Sequence, residues 1–346
     1  MFNQNVVRIL PNQGDGRGPG FTGIARPSIW SKIELSVPAI NGSIALFENK
    51  LRRHRPRPNR RPIRNRLFET PPMILGYNTN GFSHHSCFDA VKVIAEIGYR
   101  SVAITVDHHC LNPFDPQYSV QLRELRKLLG DQQLSCVIET GGRFLLDTKI
   151  KHEPTLMSAD ASRRIDFYRH CIDCAVELGS PCVSLWSGIL RDDLADEAAL
   201  ERLSDGLAEV LRFAEAAGVL IGFEPEPGMY IDTTSRFERL RQWVDSPNLK
   251  MTMDVGHLYC LHEVPIADYL HRFAKQIVNV HIEDMKAGVH EHLMFGEGDM
   301  NFPPIIDALR SAGYANGIHV ELSRHSHDAP AYAQRAFDFL SPLLNS

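Results

Sequence analysis

The 346-residue sequence predicts an α/β protein: a (β/α)8 TIM barrel over residues 73–346, preceded by a disordered extension over residues 1–72. Three observations predict it. Charge and composition change abruptly near residue 72. Beyond that point eight short apolar runs each precede an amphipathic stretch. Polar side chains gather at the C-terminal ends of those runs.

The extension comes first. Residues 1–72 hold 13 Lys and Arg against 4 Asp and Glu, a net charge of +9; the whole chain carries −5, so residues 73–346 carry −14. The basic charge concentrates in RRHRPRPNRRPIRNR, Arg52 to Arg66. That run is rich in proline and has no apolar period, so it has little to bury and is expected to be disordered. Its functional readings are a nucleic-acid arm or a targeting tail; the plainer readings are a flexible leader, or translation that truly starts at Met73, directly before the first apolar run.

Hydrophobic residues at 43% and charged residues at 23% are the proportions of a soluble globular protein. No apolar run approaches the ~20 residues a membrane helix needs, and no apolar segment with a small-residue cleavage site opens the chain, so neither a span nor a secretory signal is expected. Seven scattered cysteines fit reduced thiols in a cytoplasmic protein. Cys171 and Cys174 form a C-x-x-C inside FYRHCIDCAVELG, which reads as two thiols on a buried helix face.

The eight units follow in order. ILGYN (74–78) leads to HHSCFDAVKVIAEIGY, where Ala90, Val91, Ile94, Ala95 and Ile97 are spaced for a helix. SVAITV (101–106) leads to SVQLRELRKLLGD, SCVIET (135–140) to RRIDFYRHCIDCAVELG, and CVSLWSG (182–188) to EAALERLSDGLAEVLRFAEAAG. VLIGFEPEP (219–227) leads to TSRFERLRQWV, LKMTMDVGH (249–257) to IADYLHRFA, IVNVHIED (277–284) through a loop to FPPIIDALRSAG, and GIHVELS (317–323) to APAYAQRAFDFLSPLL. Runs such as VLIGF are apolar throughout, as in parallel strands buried on both faces. Eight units in 274 residues is the usual size of a closed barrel. An open doubly wound sheet would not explain polar residues at nearly every strand end.

In such a barrel the active site lies at the C-terminal face. The fifth strand ends at Glu224, the sixth at Asp254 with His257 three residues on, the seventh at His281 with Glu283 and Asp284 behind it, and the eighth at Glu321. Buried carboxylates without partners are costly. Four ligand-type groups at matching depth on consecutive strands are best explained by a divalent cation that offsets the cost. Three carboxylates and one imidazole suit Mn²⁺ or Mg²⁺, with Co²⁺ or Zn²⁺ behind them. Asn78, Asn80, Trp186, Ser187 and Glu226 are placed to shape the pocket, and Arg143 and Arg324 are candidates for a phosphate or carboxylate on the substrate, since Arg offers a bidentate fork. The competing reading of each Arg is a loop salt bridge.

In order and spacing, EPEPG, MDVGH, VHIED, GEGDMNF and HVELS resemble the motifs of the xylose-isomerase-like superfamily, over roughly Met73 to the C-terminus. That superfamily includes sugar phosphate isomerases and epimerases: ketose 3-epimerases, hydroxypyruvate isomerases, inosose dehydratases and, further off, endonuclease IV. The resemblance implies Glu224, Asp254, His281 and Glu321 as metal ligands, Glu224 and Glu321 also as the acid/base pair, and His257 facing the substrate or a second metal. It implies an isomerase or epimerase of a sugar, polyol or related polyhydroxy compound. A metal stabilises the enediolate made when a proton leaves the carbon beside a carbonyl, and one carboxylate takes the proton while the other returns it. A dehydratase would share that enediolate.

One feature departs from the plain epimerase pattern. GVHEHLMFGEGD places His290 and His292 where endonuclease IV carries an Asp-x-His metal pair, so they are candidates for an extra metal; the competing reading is exposed or substrate-facing loop histidines. The second strand ends in Asp107-His108-His109, but the third ends in Glu139-Thr140-Gly141 with no histidine, so that ligand set is incomplete. The alternative functions are a metal-dependent phosphodiesterase or abasic-site endonuclease, which the net −14 of residues 73–346 opposes by repelling a nucleic-acid backbone, and a non-catalytic metabolite-binding barrel. One metal per chain favours the isomerase and two or three the nuclease. The expected partner is a small polyhydroxy molecule rather than a membrane or nucleic acid; homo-oligomerisation is left open.

Overall fold

The structure is a computed structural model that describes residues 73–345. The extension expected over 1–72 lies outside the described residues. Eight parallel strands form a closed barrel: β1 (Ile74–Asn78), β2 (Ser101–Thr105), β3 (Ser135–Glu139), β4 (Cys182–Leu185), β5 (Leu220–Phe223), β6 (Leu249–Asp254), β7 (Ile277–Ile282) and β10 (Gly317–Val320), in the order β1–β10–β7–β6–β5–β4–β3–β2. Each is short and almost wholly buried, as the unbroken apolar runs require.

The helices are α1 (Cys87–Ile97), α2 (Tyr118–Gln132), α3 (Ser162–Leu178), α4 (Asp196–Ala217), α5 (Thr234–Trp243), α6 (Val255–Cys260), α7 (Ile266–Arg272), α8 (Phe302–Ser311) and α9 (Ala329–Asn345). Their apolar stripes face the strands: α1 buries Cys87, Ala90, Val91, Ile94 and Ala95, and Ser86 caps it by accepting from the Asp89 N–H. The α3 and α4 helices end on Gly179 (φ 72°) and Gly218 (φ 69°), left-handed positions that suit glycine. The strand register sets the depth of the mouth. Asp254 pairs with His281, and His281 pairs with His319, so the ends of β6, β7 and β10 stand level.

Two elements were not anticipated. Residues 284–293 form an antiparallel hairpin, β8 (Asp284–Lys286) and β9 (Val289–Leu293), where a loop was expected. It turns at Gly288 (φ 70°), and the buried Asp284 carboxylate anchors the segment behind it by accepting from the N–H groups of Gly296, Gly298 and Met300. The short α6 starts directly after Asp254, whose carboxylate caps it by accepting from the His257 N–H at 2.8 Å.

The cysteine expectation is corrected in one place. Cys87 and Cys110 are joined in a disulfide, because the Asp107–Cys110 bridge folds the segment after β2 back onto the start of α1; the other five cysteines are free and buried, Cys171 and Cys174 among them on α3. Among the described residues no helix is long and apolar enough to cross a membrane.

Candidate metal centre and active site

The four strand-end residues meet at the mouth of the barrel. Ligand atoms of Glu224, Asp254, His281 and Glu321 all lie within 4.8 Å of one another. His281 is the hub: its Nδ1 is 2.8 Å from Glu321 Oε2, 3.0 Å from Glu224 Oε1 and 4.0 Å from Asp254 Oδ2. Asp254 Oδ2 is buried and makes no hydrogen bond.

The other side of the His281 ring was not foreseen. Its Nε2 is 2.9 Å from Glu139 Oε1, a carboxylate buried on β3. The same oxygen accepts from Asn279 Nδ2 at 2.9 Å. Asn279 Oδ1 in turn accepts from His319 Nδ1 at 2.8 Å, leaving His319 Nε2 to accept from the Ser101 hydroxyl at 2.9 Å. A buried chain of hydrogen bonds therefore runs under the site and fixes which face His281 presents. With Nε2–H donated to Glu139, Nδ1 is turned toward the three carboxylates, the orientation that an outer carboxylate gives a metal-binding imidazole.

The charges are mutually dependent. Burial would lower the pKa of His281, but Glu224, Glu139 and Glu321 together hold it well above its ordinary value. Burial pushes Glu224 up to about 8 against the pull of His281. Burial works the same way on Glu321, yet His281, His292 and His257 outweigh it and hold that carboxyl below the usual range. Burial, with Asp254 beside it, pushes Glu283 well above the usual carboxylate range. A donor set of three carboxylates and one imidazole, one oxygen of it unpartnered, fits a divalent cation.

Beside this centre stands a second group. His257, in α6, and His290 and His292, both on β9, bring ring nitrogens within 4.8 Å of one another. The i, i+2 spacing on a strand puts His290 and His292 on one face. His292 is buried and His290 half-buried, so of the competing reading only the substrate-facing half fits, and both line the cavity described below. Burial, with His257 and His292 beside it, pushes His290 down to about 3. Glu226 lies between the groups, its Oε1 3.7 Å from His290 Nε2 and its Oε2 4.0 Å from His257 Nε2.

A cavity of about 430 Å³ opens above both groups and is lined by Glu224, Glu226, His281, His290, His292 and Glu321 on one side. Asn78, Asn80, Arg143, Lys151, His152 and Trp186 line the other side, and Arg324 completes the rim. Asn80 donates to Glu321 Oε1 at 2.7 Å and so links the two sides. Ser187, by contrast, hydrogen-bonds to the backbone of Gly188 and Ile231. The salt-bridge reading of the arginines is also realised: Arg324 is exposed and 3.2 Å from Glu291, and Arg143 is 3.7 Å from Asp107 while donating to Asn80 O. Lys151 and His152 were missed. They sit in the long segment between β3 and α3, which no strand-end rule reaches. His108 and His109 are exposed.

Comparisons with known proteins agree with the geometry. The model of the family described as "Xylose isomerase-like TIM barrel" matches residues 91–343. An uncharacterised protein of Methanocaldococcus jannaschii is 24% identical over 256 residues, 72% of this chain and 83% of that one. The L-ribulose-5-phosphate 3-epimerase UlaE of Shigella flexneri is 24% identical over 212 residues, 60% of this chain and 74% of that one. Among solved structures, an L-ribulose 3-epimerase superposes with a TM-score of 0.63 at 21% identity, covering 79% of this chain and 95% of that one. A D-psicose 3-epimerase with D-tagatose from Clostridium cellulolyticum H10 does so at 0.62 and 19%, covering 79% and 99%.

Proposed function

The chain belongs to the xylose isomerase-like TIM barrel family, and on that premise we propose that it is a divalent-metal-dependent isomerase or epimerase of a ketose or related polyhydroxy compound. One observation carries the reading: His281 turns Nδ1 toward Glu224, Asp254 and Glu321 while Glu139 holds its Nε2. Those four residues would hold the ion, Mn²⁺ or Mg²⁺ by the hardness of the set, with Co²⁺ or Zn²⁺ behind them. When bound, the ion would supply positive charge for the oxygens of an enediolate.

The remaining work belongs to the chain. Glu224 ends β5 and Glu321 ends β10, and both carboxylates flank His281. A ketose held above them would lose its carbon-bound proton to one and regain it from the other. Their environments push their proton affinities in opposite directions, Glu224 up and Glu321 down, which is how a pair of carboxyls divides acid and base roles. Asn80 holds Glu321 in place. Trp186, Arg143, Arg324 and Glu226 line or rim the substrate's space, while His257 is buried behind Glu226, 4.0 Å from its carboxylate. Epimerases among the relatives and structural neighbours support the ketose reading. The net −14 of residues 73–346 speaks against a nucleic-acid substrate.

The test is a panel of ketoses, ketose phosphates and inososes with the Mn²⁺-loaded protein in D₂O, following product formation and solvent exchange of carbon-bound hydrogen. Turnover with exchange is expected for at least one ketose. Absence of both across the panel, in a protein shown to hold its metal, would overturn the proposal. Elemental analysis supplies the companion check: His281→Ala should lose this ion, and a variant that keeps full occupancy would refute the ligand assignment.

A further inference from the structure

Three Lys and Arg side chains line the cavity, and two of them are already paired. Arg143 is 3.7 Å from Asp107 and donates to Asn80 O at 3.1 Å; Arg324 is 3.2 Å from Glu291 and 3.5 Å from His290 O. Lys151 is the third. Among the described residues its ammonium makes no hydrogen bond and no ion pair. Glu226, on the opposite wall, is turned to His290 and His257 instead, at 3.7 and 4.0 Å. His152 offers Lys151 no charge of either sign: burial, with Lys151 beside it, pushes its pKa down to about 3, and its Nδ1 is 2.9 Å from Gly141 O.

The loop after β3 imposes this position. The His152 N–H donates to Arg143 O, and the carbonyls of His152 and Pro154 accept from the buried Arg164. His152 holds φ 68°, in the left-handed region that a side chain with a Cβ enters at a cost. The closed loop brings Lys151 within electrostatic reach of Arg143. Although the residue is exposed, neighbouring atoms strip part of the water from its ammonium; that loss, then Arg143 and Arg324, holds its pKa below the ordinary lysine value against the pull of Glu226. Backbone strain and like-charge crowding both cost free energy, and an anion received at Lys151 would offset the second.

Resting on the isomerase or epimerase reading above, we propose that Lys151 is the specificity-determining residue and that the substrate is an anion: a ketose whose far end carries a phosphate or a carboxylate. The free ammonium would donate charge-assisted hydrogen bonds, the strong kind, to that group. Arg143 and Arg324, held by their own partners, stand behind it and add their field. A lysine is a point charge with three rotatable donors, so it receives a carboxylate or a phosphate without the fixed geometry of an arginine fork. A neutral polyhydroxy compound would leave the charge unmatched, and the site would discriminate against it. Asn80 joins this wall to the chemistry, since its carbonyl accepts from Arg143 while its side chain donates to Glu321. The anionic end of the substrate and its reacting carbons would thus be held by one connected set of side chains.

The experiment measures the binding of probes that lack a ketone and cannot turn over: glucitol 6-phosphate, gluconate and glucitol. Each is titrated by calorimetry into the full chain loaded with Mn²⁺, and into Lys151→Gln and Lys151→Arg loaded in the same way. At least one anionic probe should bind the unmutated chain about tenfold or more tighter than glucitol, the usual worth of a hydrogen bond to a charged group. Whichever anion gains more identifies the group, phosphate or carboxylate. Most of the gain should vanish in Lys151→Gln and persist in Lys151→Arg, while glucitol binds all three forms alike. Because the variants keep the metal, their difference also removes direct contact of the anion with Mn²⁺ as the cause. Neither anionic probe binding tighter than glucitol would overturn the anionic substrate. A gain that survives in Lys151→Gln would overturn the role of Lys151, as would an equal loss for glucitol, which marks a structural residue. The reaction is judged separately. A neutral ketose that turns over with solvent exchange, beside no anionic gain, would leave the isomerase standing and sink this proposal. A gain that depends on Lys151, with no ketose turned over, would uphold the anion site and refute the reaction.

Discussion

The two sides of the barrel mouth are built from opposite materials. The side made by β5, β6, β7 and β10 presents Glu224, Glu226, Asp254, Glu283 and Glu321 around four imidazoles, most of them buried. The side made by β1 to β4 presents amides, Arg143, Lys151, His152 and Trp186 on longer loops. The first crowds buried carboxyl groups, with oxygens of Asp254 and Glu283 left without hydrogen-bond partners, whereas the second sets cations and donors around the buried Glu139, with room between them. On the function proposed above, proton transfer would fall to the acidic side and substrate recognition to the cationic one, and each assignment can be broken separately.

The largest effect belongs on the acidic side. Glu224→Gln and Glu321→Gln should each lower turnover by about 10²–10⁴-fold, the usual worth of general acid–base catalysis. Gln keeps one oxygen for the ion, so elemental analysis run beside the kinetics separates lost chemistry from lost metal. Near-wild-type turnover and hydrogen exchange in both variants would end the two-carboxylate mechanism.

Next in size is the support beneath His281. Glu139→Gln replaces the acceptor of His281 Nε2–H with an amide that no longer carries charge. Removing such an outer partner typically costs about 10–100-fold in metal affinity, to be read as a weaker apparent Mn²⁺ affinity in a competition titration. The same contacts fix a pH dependence. In the metal-free chain the carboxylates hold the pKa of His281 well above its ordinary value, so the ring carries a proton that the ion must displace. Metal uptake near neutral pH should therefore release protons into a weak buffer and tighten as pH rises. Unchanged affinity in Glu139→Gln, or uptake without proton release, would show that His281 is not held in this way.

The same contrast separates the residues that were legible in the sequence from those that were not. Glu224, Asp254, His281 and Glu321 were legible because in a parallel barrel the strand ends become the mouth, and each follows an apolar run that betrays its strand. Glu139 ends a strand too, but a lone carboxylate there reads as any salt-bridge partner, and its own partner lies 142 positions away. The hairpin that carries His290 and His292 looked like a loop; its signals were Gly288 at the turn and the alternation of Val289-His290-Glu291-His292-Leu293. Lys151 and His152 were illegible for a different reason. Their segment is held by Arg164, fully buried on α3, which donates to the carbonyls of His152 and Pro154 and stacks near Trp186. A buried arginine that shapes a loop has no local signature.

A smaller effect is expected on the cationic side. Arg143→Ala and Lys151→Ala remove donors from the recognition side without touching the acids. A hydrogen bond to a charged group contributes about 1.5–3 kcal/mol, so KM should rise roughly tenfold or more for a substrate bearing phosphate or carboxylate, with kcat little changed. Steady-state kinetics on paired phosphorylated and unphosphorylated ketoses decides it. A fall in kcat equal to the fall in kcat/KM would place these residues in the chemistry and erase the division between the two sides.

The smallest effect should come from removing residues 1–72. The net +9 of that region is the other large store of positive charge in the chain, and it would compete with Arg143 and Lys151 as the source of anion recognition. Composition argues against a structural role: between Lys50 and Arg66 the sequence offers proline and arginine with no apolar period, so it has nothing to add to a hydrophobic core. Charge argues against a catalytic one, since a charge in water is screened within about 8 Å at physiological salt, whereas the acidic centre is buried. A chain starting at Met73 should therefore match the full chain in melting temperature, metal content and KM for an anionic ketose. A lowered melting temperature or loss of soluble protein would mean that residues 1–72 are part of the fold. An unchanged melting temperature with a raised KM would mean that the basic region, and not the loops after β3, supplies the recognition charge, and the division of the mouth into an acidic and a cationic side would need redrawing.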